Sequence, residues 1–137
     1  MKSITSSKTV VVTSDAPAAL GSYSQGIVNS NKTVLYTSGQ IGLDPRSLRL
    51  VDGVEAQIRQ TFSNIEGICK AAGASLESIS KLTVFLVSQQ DWAVVNLVMD
   101  DLFSKPFPAR TAIGVVWLPL GAVVEIEATV DLSPSGS

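Results

Sequence analysis

Apolar positions recur along this chain with two periods, one of two residues and one of three to four, and together they predict six strands and two helices. Residues 9–13 form a β-branched run that predicts the first strand. Asp15-Ala16-Pro17-Ala18-Ala19-Leu20-Gly21-Ser22 follows as a loop punctuated by proline and glycine. Residues 26–28 and 33–37 flank the four-residue stretch Asn29-Ser30-Asn31-Lys32, which predicts a β-hairpin. Asn31-Lys32-Thr33 also fits a glycosylation sequon and is read here as part of that turn.

The clearest helix covers residues 54–72, where Ile58, Phe62, Ile65, Cys69 and Ala72 follow at spacings of 4, 3, 4 and 3. Gly73 stands where a left-handed residue would end it. Residues 79–87 predict a strand that is apolar on both faces beyond Lys81 and therefore covered on both. Asp91 is placed to cap a second helix, whose apolar stripe reads Trp92, Val95, Met99 and Leu102 before Pro106 and Pro108 forbid continuation. Residues 110–117 and 123–132 predict a closing hairpin around Leu118-Pro119-Leu120-Gly121.

This order implies an α+β domain in which two β–α–β crossovers build a mixed sheet. The domain spans residues 1–137, with its core at about 8–132 and a flexible Ser-rich tail at 133–137. Two helices cover one sheet face only. In the last strand Val124, Ile126, Ala128 and Val130 point one way, and Val123, Glu125, Glu127 and Thr129 the other. A face of that mixed composition is most simply covered by another subunit.

Composition narrows the chemistry. Charged residues are 16% of the chain and hydrophobic residues 45%, which excludes a disordered tract and leaves few charges to cover a monomer. The net charge is −2 with a pI near 5.0, so no nucleic-acid partner is expected. No segment is long and apolar enough for a membrane partner. There is no histidine, which removes a Ser-His-Asp site, any His-containing zinc site and the commonest general base. The single cysteine, Cys69, excludes an internal disulfide and suits a reducing compartment; on the helical stripe it reads as a core residue. Residues 1–7 are Ser/Thr-rich without acids or arginine, which favours a cytoplasmic protein over a mitochondrial one.

Carboxylates, tyrosine and lysine remain as acid–base groups. Glu125 and Glu127 share a strand face, and a carboxylate in a partly dry cleft can carry a raised pKa. Arg110 begins the strand expected beside them, followed on its face by the small residues Ala112 and Gly114. Its fork suits a substrate carboxylate, and it equally suits a structural ion pair with the glutamates. Tyr23 reads either as a packed loop anchor or as part of a cleft, and Ser38-Gly39 as a strand terminus.

Residues 16–25, Ala-Pro-Ala-Ala-Leu-Gly-Ser-Tyr-Ser-Gln, resemble the N-terminal signature of the reactive intermediate deaminase family (Rid, YjgF-like). Ser38-Gly39-Gln40-Ile41-Gly42-Leu43-Asp44-Pro45 is similar to its second signature, and residues 108–128 to its C-terminal one. Residues 83–86 and 91–96 match in spacing, so the resemblance covers about residues 8–132. It implies a chorismate-mutase-like fold and a homotrimer with sites between subunits. It also implies hydrolysis of reactive 2-imino and enamine acids to 2-oxo acids and ammonia, with no cofactor and no metal. The matching positions assign Arg110 to the substrate carboxylate and Glu125 to the water. Tyr23 completes that set, and Ser38, Gly39, Asn96 and Ala112 line the pocket. Ala112 stands where many members carry cysteine, and Trp92 where phenylalanine is typical. Gly114 is smaller and Trp117 bulkier than the family norm. Three classes of function stand at this stage: an imine deaminase, a relative recruited to a tautomerisation or condensation, and a non-enzymatic binding or chaperone-like protein.

Overall fold

The computed structural model describes residues 7–133; the reading of residues 1–6 and most of the expected tail, residues 134–137, lie outside the described residues. The strands are β1 (Thr9–Val11), β2 (Gly26–Val28), β3 (Val34–Thr37), β4 (Ile79–Leu86), β5 (Ala109–Gly114) and β6 (Val124–Asp131), with helices α1 (Val54–Ala71) and α2 (Trp92–Leu102). All six strands form one sheet in the order β1-β2-β3-β6-β4-β5. Only β4 and β5 run parallel; every other pair is antiparallel.

The hairpin β2–β3 forms where expected. Asn29 Oδ1 accepts hydrogen bonds from the backbone N–H groups of Thr33 and Val34 at 2.8 and 3.1 Å, and Lys32 takes a φ of 57°. An Asx side chain that satisfies the turn's own donors explains why these residues specify it. Helix α1 buries Ile58, Phe62, Ile65 and Cys69, and it ends as its sequence predicts. Gly73 (φ 83°) donates to the Lys70 carbonyl and Ala74 to the Cys69 carbonyl, the two bonds of a Schellman stop.

The closing hairpin does not form. β5 pairs in parallel with β4, completing a β4–α2–β5 crossover, and β6 lies between β3 and β4. Leu120 and Gly121, with φ of 58° and 77°, reverse the chain as expected, but a turn sets direction, not the neighbour. Burial sets the neighbour: Val124, Ile126, Ala128 and Val130 are all buried, which a central strand provides, whereas Thr111, Ile113 and Gly114 stay exposed at the edge.

The α2 stripe also differs from the expected one. Val95, Val98 and Met99 are buried, while Trp92 and Leu102 are exposed. Asp91 occupies the N-cap position without a side-chain cap bond. A 3₁₀ turn at Gln89–Asp91 leads into the helix, so Asp91 has helical φ/ψ rather than the extended geometry a capping carboxylate needs.

Both helices lie on one face of the sheet, over Leu35, Leu82, Val84, Val124, Ile126 and Val130. Phe62 of α1 meets Phe103, just past α2, edge-on at 5.5 Å between centroids. Register assigns the faces: Arg110 and Ala112 sit beside Leu82 and Val84 on the helix side, and Glu125 and Glu127 sit beside Phe85 and Thr83 on the open side.

Candidate active site

The Glu125 side of the molecule is built around an interruption in the β3–β6 ladder. Tyr36 pairs with Thr129, and the next bridge joins Gln40 to Ile126. Three residues of one strand (37–39) therefore face two of the other (127–128), a bulge of the kind that re-aims a chain beside a site. Thr37 Oγ1 accepts from the Ala128 N–H at 3.0 Å and so satisfies a donor that the bulge would orphan. The displaced backbone brings Gly39 against Glu125: a Cβ there would stand 2.9 Å from the Glu125 carboxyl carbon. Ser38 is anchored by its own hydroxyl, which donates to the Ser24 carbonyl at 2.5 Å.

The loop carrying Tyr23 is held by Gln25, which is buried. Its side-chain amide donates to the carbonyls of Thr13, Ala16 and Pro17 at 2.9, 3.1 and 2.8 Å, and its carbonyl accepts from the Thr13 N–H. These bonds wrap residues 13–17 around one side chain and leave Tyr23 half exposed at the mouth of a cleft of about 450 Å³. Tyr23, Ser38, Gly39 and Glu125 all line that cleft, with Leu20 and Leu120 as its apolar rim. Burial raises the Glu125 pKa above its usual value, and the charge of Glu127 on the same face raises it further.

Arg110 belongs to a second cleft, lined also by Asn96, Met99, Asp100, Phe107 and Pro108. One nitrogen of its guanidinium, Nη1, donates to Asn96 Oδ1 at 2.7 Å and contacts Met99 Sδ at 3.3 Å. The guanidinium carbon lies 5.2 Å from the centroid of the Trp92 ring. Among the described residues Arg110 forms no ion pair; the ion pairs found are those of Arg59 with Glu55 and Asp101. Ala112 follows Arg110 on the same face, half-buried.

The expected site residues thus fall into two groups. Tyr23, Ser38, Gly39 and Glu125 share one cleft; Arg110 and Asn96 share another, with Ala112 beside them. The expectation that Arg110 lies on the strand next to Glu125 is not met, because β4 separates β5 from β6 and the two side chains leave opposite faces. Arg110 is therefore no ion-pair partner for the glutamates of its own chain. Sequence reading assigned no role to two contributors, Gln25 and Leu120, and marked Trp92 only as a departure from the family's phenylalanine. Gln25 stands inside the first signature, but a buried amide carries no periodic signal, and Trp92 fits the apolar stripe of α2 too well to mark it as an arginine contact.

Residues 13–132 match the family described as Endoribonuclease L-PSP. A 2-iminobutanoate/2-iminopropanoate deaminase of Bos taurus is 43% identical over 120 residues, covering 87% of this chain and 86% of that protein. A Lactococcus lactis protein named as a regulator, AldR, is 41% identical over 125 residues, covering 90% of this chain and 97% of that one. The crystal structure of RidA from an Antarctic Psychrobacter superposes with a TM-score of 0.86 at 45% identity, covering 90% of this chain and 98% of that one. The chain belongs to this family, the Rid or YjgF-like family that its signatures resemble.

Proposed function

We propose that this protein hydrolyses reactive 2-imino and enamine acids to 2-oxo acids and ammonia, with an active site assembled between copies of the chain in a homotrimer. The observation that carries the reading is the state of Glu125: a carboxylate with a raised pKa, against a glycine backbone in an apolar-rimmed cleft, with no ion pair among the described residues. A carboxyl group so placed holds a proton more readily than an exposed one and is positioned to take it from and return it to a bound reactant.

The chemistry follows from the substrate. The C2 carbon of an iminium acid is already electrophilic, so one oriented water suffices and no cofactor is required. Glu125 accepts a proton as the water oxygen bonds to C2, and the C=N pair moves onto nitrogen. The amino group then takes that proton from Glu125, the C–N bond breaks as the hydroxyl oxygen closes to C=O and passes its proton to Glu125, and ammonia leaves the 2-oxo acid. An enamine enters after protonation at C3. Arg110, which forms no ion pair among the described residues, grips the substrate carboxylate and fixes the direction of attack.

Arg110 and Glu125 leave opposite sheet faces, so one chain does not bring them together. A neighbouring copy that docks its β5 edge at the open face of the first supplies the missing half. Exposed apolar residues support such an interface: Val116 is 94% and Trp117 67% exposed, and Ile113 lies beside them. The absence of histidine and the net charge of −2 favour this reading over the RNA cleavage that the family's name implies. We place the protein in the cytoplasm, in keeping with its one buried, reduced thiol; no helix among the described residues is long and apolar enough to cross a membrane.

The test is ammonia release from freshly generated 2-iminobutanoate. Acceleration over the spontaneous rate, lost in Arg110→Lys and Glu125→Gln variants of unchanged mass, supports the assignment. A rate equal to the spontaneous one in the native protein overturns it.

A further inference from the structure

One face of α2 is committed to a single side chain of another element. Trp92, Asn96 and Met99 stand at i, i+4 and i+7, one stripe of the helix, and all three contact Arg110 of β5. Asn96 and Met99 engage the same nitrogen, Nη1, at 2.7 and 3.3 Å. The guanidinium carbon stands over the face of the Trp92 ring, 5.2 Å from its centroid. The remaining nitrogens, Nε and Nη2, have no partner among the described residues. Trp92 itself is 45% exposed, so part of its ring remains open to solvent.

We propose that Trp92 is a positioning residue for carboxylate recognition: its indole face fixes the plane of the Arg110 guanidinium so that the Nε/Nη2 edge meets both oxygens of the substrate carboxylate. This rests on the reading of Arg110 as the carboxylate grip. Two anchors fix a planar fork. The Asn96 bond fixes one corner and leaves rotation about it; the ring face removes that rotation and excludes water from one side. A two-pronged bond to a carboxylate needs the whole plane in place, so losing the ring loosens the grip without touching the water or its proton acceptor. Trp92 should therefore affect substrate binding and leave the chemical step alone.

The experiment compares Trp92→Leu, Trp92→Phe and the native protein. Each is tested for the affinity of 2-oxobutanoate, by calorimetry, and for kcat and KM in imine hydrolysis. Leucine keeps apolar bulk without a π face, whereas phenylalanine keeps a smaller π face. Expected for Trp92→Leu is a roughly 3- to 30-fold rise in both Kd and KM, the range of a partly desolvated cation–π contact, with kcat changed less than about twofold. Trp92→Phe should recover at least half of that loss on a logarithmic scale. An unchanged Kd in Trp92→Leu overturns the proposal, and so does a leucine variant no weaker than the phenylalanine one. A fall in kcat as large as the rise in KM also overturns it. Native protein that binds 2-oxobutanoate but does not hydrolyse imines sinks the deaminase reading alone, and the Kd series still decides the role of Trp92. Native protein that binds no 2-oxobutanoate overturns both.

Discussion

Glu125 rests its carboxyl against Gly39, the position where a Cβ would come within 2.9 Å of the carboxyl carbon. The glycine is required by this approach and not by its backbone, since its φ lies outside the positive range that favours glycine. Gly39→Ala therefore leaves the fold able to form, because the group that must give way is the end of a flexible side chain. The carboxylate moves instead, by about the width of a methyl group. A displacement of that size costs on the order of 100-fold in the chemical step. The expected outcome is a large loss of kcat with a melting temperature close to that of the native protein. Full activity in Gly39→Ala would show that Glu125 need not sit where it does.

Arg110→Lys separates the site from the scaffold. Lysine keeps the charge and loses both the fork and the flat face that Trp92 covers. Truncating one partner of a buried charged contact costs about 2–5 kcal/mol, so kcat/KM should fall roughly 30-fold or more. Because Arg110 forms no ion pair among the described residues, stability should change little. Loss of activity only in proportion to loss of folded protein would return Arg110 to a structural role.

The pH dependence follows from the raised pKa of Glu125. The base form is the one that accepts the water's proton, so activity rises with pH as Glu125 ionises. The acid limb of kcat should therefore lie above 4.5, the ordinary value for a glutamate. Stability runs the other way. The folded state holds this proton more tightly than the unfolded chain does, so the stabilisation is fully present below 4.5 and is lost as pH rises through the higher folded value. Glu125→Gln should thus abolish the acid limb of the residual rate. It should melt higher than the native protein near neutral pH, with the difference closing in acid. A native protein whose acid limb sits at or below the ordinary glutamate value contradicts this.

What the sequence made legible was local. The α1 stripe, its Schellman stop at Gly73 and the Asn29 turn are each specified by residues within one or two turns of chain, and each appears where expected. Strand order is different in kind. The residues of the Leu118–Gly121 turn reverse the chain as their types predict, yet nothing in them says that β6 passes β4 and pairs on its far side. That choice is made by the buried side chains of the whole sheet. The site inherits the same division. Its residues were identified through the signatures, but their separation onto two faces depends on β4 lying between β5 and β6, which no short-range pattern encodes.

Cys69 tests the reading of the α1 stripe. Burial, aided by the charge of Glu66, pushes its thiol up to about 12. In mildly alkaline buffer the thiolate fraction is then on the order of one in ten thousand, and the thiolate is the reactive form. A thiol reagent should label the folded protein slowly and leave activity unchanged. Fast labelling with loss of activity would place Cys69 near the chemistry.

Assembly is the prediction on which the composite site depends. In one chain the open face carries Glu125, Glu127, Thr83 and Phe85, with Lys81 at its far end opposite Thr129, and neither glutamate forms an ion pair among the described residues. The edge next to it ends in exposed Ile113, Val116 and Trp117. Exposed apolar side chains of this size seek a partner, and a chain that presents both an apolar edge and a half-finished cleft complements a second copy of itself. An edge that meets a different surface on its neighbour makes a head-to-tail contact, which closes into a ring when the rotation between neighbours is a whole fraction of a turn, here a third in the assembly proposed. Light scattering at micromolar concentration should therefore give the mass of a trimer, and Val116→Asp with Trp117→Ser should lower that mass. If the site is shared, mixing Arg110→Lys chains with Glu125→Gln chains under exchange should restore part of the activity that each lacks alone, because some interfaces then pair an intact Arg110 with an intact Glu125. A monomeric mass, or a trimer in which mixing restores nothing, would overturn the shared site and with it the joint role of Arg110 and Glu125.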